Sequence, residues 1–133
     1  MNIQGLDNFI RTLNNASNSF DEEASKRLNN ISQKLIKKVK LKTPVDSGLL
    51  RRSWRSKKEG ELARVVYNNT KYAGFIEYGH RTRGGKSFVD GQYMLTKSVK
   101  EIEETMTSEF SMMIENLFVI VSSISFTDLV SIY

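Results

Sequence analysis

Apolar residues recur every three or four positions from the beginning of the chain to residue 39. The series is Leu6, Ile10, Leu13, Ala16, Phe20, Ala24, Leu28, Ile31, Leu35 and Val39. Nine steps across 33 residues give a mean of 3.67, which is the helical period. We predict one long helix over residues 1–42, with a break or kink at residues 14–19, where Asn and Ser are weak helix formers. Pro44 ends it, because a proline pushes the preceding residue away from the helical conformation.

The pattern changes after Pro44 and predicts a short helix followed by a β-hairpin. The Asp46 carboxylate can accept the free N–H groups of a first turn, so it is expected to cap a helix over residues 47–53. Trp54 follows as a core anchor. Alternating side chains then predict strands at residues 54–59 and 61–68, which turn at the Glu-Gly pair of residues 59–60.

Short elements are predicted between this hairpin and the next long apolar series. Asn68 and Asn69 favour a turn, and the apolar residues 72–79 form either a strand or a single helical turn. Residues 80–86 are a basic, glycine-containing loop, expected to be mobile or ordered by a partner. The side chains predicted to join helix and sheet are Trp54, Tyr67, Tyr72, Ala73 and Tyr78.

A second amphipathic helix is predicted to begin near Tyr93. Its apolar series is Leu95, Val99, Ile102, Met106, Phe110, Met113 and Leu117. The apolar residues 117–126 are too few to cross a bilayer, which needs about 20. They are rich in β-branched side chains, so a strand is an alternative there. Residues 117–133 are expected to pack either on a neighbouring copy, as an added strand or an apolar contact, or in the core of their own chain.

These elements predict an α+β fold, in which a long N-terminal helix and a C-terminal helix pack on a small antiparallel β-sheet. The length of 133 residues predicts a single domain over residues 1–133. Its three parts are the N-terminal helix at 1–42, the short helix, hairpin and loop at 43–92, and the C-terminal helix with its apolar tail at 93–133.

The charges are unevenly distributed along the chain. The net charge is +5, but residues 26–58 contain twelve basic side chains and one acid. Residues 101–133 contain six acids and no base. Such a chain can bind a polyanion, or its copies can meet basic face to acidic face, or both segments can be solvated helix faces.

Candidate chemistry is sparse. With no cysteine and one histidine, thiolate metal sites and His-rich sites are excluded, and no cofactor or metal is expected. The opening residues carry no pattern of a secretory signal. The segment GHRTRGGK has the glycines of a phosphate loop without its strand and helix context. Glu77 and His80, three residues apart, are an acid–base pair or, alternatively, a satisfied surface carboxylate near an exposed imidazole.

Three segments together resemble the HK97 gp10-like family of phage proteins. TPVDSGLLRRSW is similar to the motif TPVDTGxLRxS, VVYNNTKYAGFIEYGHR to V-x-N-x-x-x-YAxxVExG, and FVDGQYMLTKSVKEIE to the closing segment of members from contractile, defective-prophage-like tails. They follow in the family's order from Thr43 to Glu103. The motif positions are Thr43, Pro44, Asp46, Ser47, Gly48, Leu50, Trp54, Tyr67, Asn68, Tyr72, Ala73, Glu77, Tyr78 and Gly79.

The resemblance implies a non-enzymatic structural subunit of the virion, assembled in the bacterial host cytoplasm, with no membrane contact. It implies a hexameric or dodecameric ring at the neck, or tail-completion position, joining the head or portal complex to the tail. The implied partners are a head-closure or portal-side ring, a tail terminator, and a tube or sheath. His80, Arg81, Arg83 and Lys86 are expected to face a neighbour or, without sequence preference, DNA. The alternative function is a basic nucleic-acid-binding module.

Overall fold

The computed structural model confirms an α+β fold with a long helix at each end of the chain. It describes residues 3–132, with side chains for residues 6–116. The helices are α1 (Ile3–Lys42), α2 (Leu49–Arg52), α3 (Ala73–Tyr78) and α4 (Met94–Ile132). The strands are β1 (Trp54–Gly60), β2 (Ala63–Asn68), β3 (Gly79–Arg81) and β4 (Phe88–Asp90). They form two separate antiparallel pairs, β1 with β2 and β3 with β4, where one sheet was expected.

The chain divides into two compact units. One consists of Met1–Arg27 and Thr107–Tyr133, and among its described residues Ala24 and Met113 are buried. The other, Leu28–Met106, contains all the strands and the main hydrophobic core. The expectation that residues 1–133 are a single domain stays a prediction.

Helix α1 runs without interruption through residues 14–19, so the break expected there does not occur. Ala16 and Phe20 are half-buried within this stretch, and packing of an apolar face outweighs weak intrinsic propensity. The helix ends at Lys42, directly before Thr43 and Pro44, as the proline predicted.

The cap predicted at Asp46 is wrong. Helix α2 spans only Leu49–Arg52, and its N-cap residue is Gly48, which makes no side-chain capping hydrogen bond. Gly48 has a φ of 81°, a left-handed conformation that a glycine adopts without a Cβ penalty. The helix therefore begins beyond the reach of Asp46, which is exposed, and the Ser47 Oγ accepts the Leu49 N–H at 3.4 Å.

The first hairpin pairs Trp54 with Asn68 and Ser56 with Val66. Its turn lies at residues 61–62, two residues later than predicted, because β1 extends through Gly60 with a register shift between Lys58 and Gly60. Val66 faces the core. On the opposite face, the Lys57 ammonium lies 5.5 Å from the centre of the Tyr67 ring.

The core of the larger unit consists of Ile36, Val39, Leu50, Trp54 and Met94. Trp54 is 4% exposed, which confirms it as an anchor, and Ala73 packs against the same cluster. The other predicted packing residues differ. Tyr67 is half-buried, whereas Tyr72 and Tyr78 are 38% and 65% exposed. The two tyrosines, which lie at the beginning and the end of α3, therefore belong to the surface.

Residues 79–90 form a second hairpin where the sequence predicted a loop beginning at residue 80. Strands β3 and β4 have three residues each, too few for an alternating pattern to be recognised. Their turn is closed by Thr82 and Ser87, since the Thr82 N–H donates to the Ser87 carbonyl at 2.9 Å and the two hydroxyls lie 3.0 Å apart.

Helix α4 continues to Ile132, so the strand considered for residues 117–126 does not form. Residues 117–133 lie outside the described side chains. Their packing, on a neighbouring copy or in the core of their own chain, therefore stays a prediction. Within the part of the chain that the structure describes, no helix has the length and apolarity to span a membrane.

Replacing Trp54 tests this core. Trp54→Ala is expected to lower the free energy of unfolding by about 3–5 kcal/mol, because it removes a large buried side chain. The Trp54 indole N–H donates to the Thr43 hydroxyl at 2.9 Å, so Thr43→Val leaves it without an acceptor and is expected to lower the free energy of unfolding by about 1–3 kcal/mol. Urea denaturation gives both values. Leu62→Ala, at an exposed turn position, is the control and should change little; equal stability of all three variants and the wild type would contradict this core.

Candidate functional site

Thr43 joins the end of α1 to α2 and β1. It is 2% exposed, and its hydroxyl donates to the Val39 carbonyl at 2.6 Å while accepting the Trp54 indole N–H at 2.9 Å. The Thr43 carbonyl accepts a bond from the Arg51 guanidinium at 3.1 Å. A buried polar group must be hydrogen-bonded, and here each bond also fixes a neighbouring segment. Thr43 therefore has a structural role.

Asn68 makes the corresponding junction at the end of β2. Its side-chain amide donates to the Leu50 carbonyl at 2.8 Å, which holds α2 against the hairpin. Its Oδ1 accepts the N–H of Thr70 at 3.0 Å and the Thr70 hydroxyl at 2.7 Å. The second pair of bonds is the side-chain turn that an asparagine favours, so the turn predicted at Asn68 is confirmed.

Glu77 ties α3 to the beginning of α4. It is 5% exposed, and its two carboxylate oxygens accept the N–H groups of Leu95 and Thr96, both at 2.9 Å. The Thr96 hydroxyl also donates to it, at 2.7 Å. The first N–H groups of a helix have no partner within the helix, and the helix dipole there attracts negative charge. Glu77 is thus a capping residue supplied by a different element.

Just after Glu77, the two ends of the second hairpin approach each other closely at Gly79 and Gly91, a point that we call the crossing. Gly79 has a φ of 87°, and a Cβ there would lie 2.5 Å from the Val89 carbonyl oxygen. A Cβ on Gly91 would clash with the Glu77 carbonyl. Glycine is required at both positions because no side chain fits between the two strands of backbone. The Tyr93 N–H bonds to the Glu77 carbonyl at 3.0 Å, which closes the crossing.

These contacts give structural roles to four of the motif residues, Thr43, Asn68, Glu77 and Gly79. The interpretation of Glu77 as a satisfied surface carboxylate is wrong, because Glu77 is buried. Nor does its geometry favour the acid–base pair, since both of its oxygens bond to α4 while the His80 ring packs edge-on against Phe75 at 5.9 Å. Among the described residues, no group of acidic or histidine side chains has the arrangement of a metal site.

Exposed basic and aromatic side chains lie on the second hairpin and at its base. We call residues 79–90 the hairpin arm. From Arg81 to Asp90 all its residues except Thr82 are exposed, including Arg83 and Lys86. A shallow cleft of about 370 Å³ at the arm is lined by Arg81, Gly85, Lys86, Ser87 and Phe88. Of the basic residues that the sequence had placed on a loop, the cleft thus brings together Arg81 and Lys86, whereas His80 and Arg83 do not line it.

Aromatic side chains surround the base of the arm. Phe75, Tyr78 and Phe88 are each more than half exposed, and the rings of Tyr78 and Tyr93 meet edge-on at 6.5 Å. Sequence reasoning missed this surface because it assigned Tyr78 to the core. The sequence did contain a signal for it: the chain has more aromatic residues than a small core can bury, so some of them must lie on the surface.

Part of the basic segment is neutralised within the chain. Glu101 on α4 bonds to the Lys42 ammonium at 2.8 Å and to that of Lys38 at 3.3 Å, both on α1. The bonds from Lys42 and then Lys38 lower the pKa of Glu101. Charges from the basic and acidic segments therefore meet inside one molecule at this point.

Comparison with known proteins gives one family. The model of the family described as "Bacteriophage HK97-gp10, putative tail-component" matches residues 7–79, more than half of the chain. The match begins in α1 and ends at Gly79, so the segment FVDGQYMLTKSVKEIE lies beyond it. No curated protein and no solved structure matches the chain.

Glu77→Gln tests the capping role. The amide keeps one acceptor oxygen, but its NH2 group would face an N–H donor of α4, and the negative charge is lost. The free energy of unfolding should therefore fall by about 1.5–3 kcal/mol, the range for charge-assisted hydrogen bonds. Hydrogen exchange at the Leu95 and Thr96 amides should accelerate before global unfolding. Glu104→Gln, exposed on the same helix, is the control. Unchanged exchange at both amides in Glu77→Gln would contradict the cap.

The ion pairs of Glu101 predict a pH dependence. A carboxyl group with a lowered pKa in the folded state stabilises it above the unfolded value, 4.5, and this contribution disappears as the pH falls through the lowered pKa. Glu101→Gln should therefore be less stable than the wild type at pH 7, with the difference vanishing in acid. Urea titrations across this range measure it. A difference that is constant with pH would show that the ion pairs do not contribute.

Proposed function

The chain belongs to the HK97-gp10-like family of phage tail components, and on that premise we propose that it forms an oligomeric ring at the neck of the particle. In this proposal it is a non-enzymatic subunit that completes the tail and joins it to the head or portal complex. The observation that carries the proposal is the family match over residues 7–79. A tail component is a part of the virion, and its partners include other tail proteins.

The junction residues support a structural role. Thr43, Asn68 and Glu77 use their polar groups to hold elements together, which leaves the surfaces as the sites of function. A ring subunit needs two different patches, one of which meets the other on the next copy. The basic residues 26–58 and the acidic residues 101–133 supply opposite charges for such a contact, although Lys38 and Lys42 are already paired with Glu101.

The ring is proposed to be hexameric or dodecameric, with a head-closure or portal-side ring on one side and a tail terminator, tube or sheath on the other. The resemblance of FVDGQYMLTKSVKEIE to contractile-tail members suggests a contractile particle. Arg81, Arg83, Lys86 and His80 are proposed to contact a neighbouring protein or to touch DNA through its phosphates.

A nucleic-acid-binding module is the second candidate, favoured by the exposed basic side chains of the hairpin arm. Binding through phosphates would weaken steeply as salt rises, because counterions are released. The ion pairs of Lys38 and Lys42 reduce the free positive charge and argue against it. A gel-shift titration with duplex DNA at about 50 mM and about 200 mM salt tests this second candidate, and absence of binding at the lower value removes it.

Particle composition tests the leading proposal. Purified particles should contain the protein in a low, fixed copy number, and an antibody label should mark the head-proximal end of the tail in electron micrographs. Deleting the gene should leave heads and tails unjoined, and wild-type protein should restore joining. Label along the whole tail or at its far end would contradict the neck position. Absence from particles would contradict the proposal altogether.

A further inference from the structure

The hairpin arm exposes apolar side chains on both of its faces. The register pairs His80 with Val89 and Arg81 with Phe88, so each pair occupies one face of the two-stranded sheet. Phe88 is 58% exposed on one face, and Val89 is 45% exposed on the other, where the His80 ring meets Phe75. An isolated two-stranded hairpin is marginally stable in water, so apolar faces without cover call for a second surface.

Helix α4 carries exposed carboxylates beside partly exposed apolar side chains. Val99 and Met106 are 37% and 39% exposed, and the exposed Glu103 lies between them. Positions separated by four and three residues share one face of a helix, so a carboxylate is flanked by two apolar side chains. Glu104 adds a second exposed carboxylate on the next position, and the exposed Lys100 lies on the same side of the helix, so two acids and one base accompany the apolar pair.

We propose that the hairpin arm of one copy packs on the Val99–Glu103–Met106 face of α4 in the next copy. The apolar faces of the arm would cover Val99 and Met106, and Arg81 and Arg83 would meet Glu103 and Glu104. This contact rests on the proposed ring, because it is heterologous and repeats from copy to copy until the ring closes. It gives the ring a specific pair of surfaces.

Charge decides between a second copy's helix and a second copy's arm as the occupant. Two arms facing each other would bring Arg81, Arg83 and Lys86 against their own counterparts, and like charges brought together in an interface repel each other. The α4 face carries acids beside its apolar residues, so arm against helix satisfies both components. The interface is therefore asymmetric, as ring formation requires.

Site-directed cross-linking tests this contact directly, because the chain has no cysteine of its own. One full-length chain carries Phe88→Cys, and a second carries Met106→Cys. Mixed before assembly and treated with a short bismaleimide, they should give a cross-linked dimer, whereas neither chain alone should. Leu62→Cys, at an exposed position of the first hairpin, replaces Phe88→Cys in the control and should give no product with Met106→Cys.

The possible outcomes separate the proposed contact from the proposed ring. A cross-link from Phe88→Cys alone would mean that arms meet arms, and would overturn the proposed contact. Rings of normal mass by light scattering, with no cross-link in the mixture, would overturn the contact and leave the ring standing. A wild-type chain that stays monomeric at every concentration and is absent from purified particles would overturn the ring itself, and the contact with it.

Charge reversal provides a second measurement. Arg81→Glu with Arg83→Glu should abolish the cross-link, and so should Glu103→Arg with Glu104→Arg. Combining all four changes in each chain restores opposite charges and should restore both the cross-link and the ring. Thermal unfolding of the variants checks that folding is intact, since all four side chains are exposed. Full cross-linking by either charge-reversed pair would contradict the role assigned to the arginines.

Discussion

The buried carboxylate of Glu77 is the contact on which the arrangement of the larger unit depends. It accepts two backbone N–H groups and one hydroxyl from the beginning of α4, so it replaces the capping residue that α4 would otherwise need. Because Glu77 lies in α3, the position of α3 fixes where α4 begins. The core residue Met94, at the first position of α4, is held in place by the same bonds. Removing the charge would thus disturb a helix, a core and a crossing together.

Polar residues in this fold act as connectors between segments distant in sequence. Thr43 reaches Trp54 across 11 positions, Asn68 reaches Leu50 across 18, and Glu77 reaches Leu95 across 18. The larger unit has a small hydrophobic core, and satisfied polar contacts of this kind specify one arrangement where apolar packing alone leaves several. In this chain, Thr43, Asn68 and Glu77 of the motif therefore have structural contacts that account for their polar groups.

The sequence predicted the elements that depend on a local periodic pattern. It failed where the contact partner of a residue is distant in the sequence. The helical step of the first 39 residues, the stop at Pro44 and the anchor Trp54 all follow from local patterns. The residues beside Glu77 in the sequence do not indicate that its carboxylate oxygens accept N–H groups of α4, because the two segments meet only in the folded chain. The cap at Asp46 was wrong since Gly48 takes a left-handed conformation, and the three-residue strands of the arm were too short to alternate visibly.

The close crossing of Gly79 and Gly91 has a consequence for the entropy of association. Both ends of the hairpin arm are held at one point, where the backbones approach too closely to admit a Cβ. The direction in which the arm projects is therefore set when the monomer folds. A flexible arm would lose its freedom on binding, whereas a preorganised one avoids much of that loss. Two hydrogen atoms in place of two side chains would thus strengthen the proposed contact, which neither glycine touches.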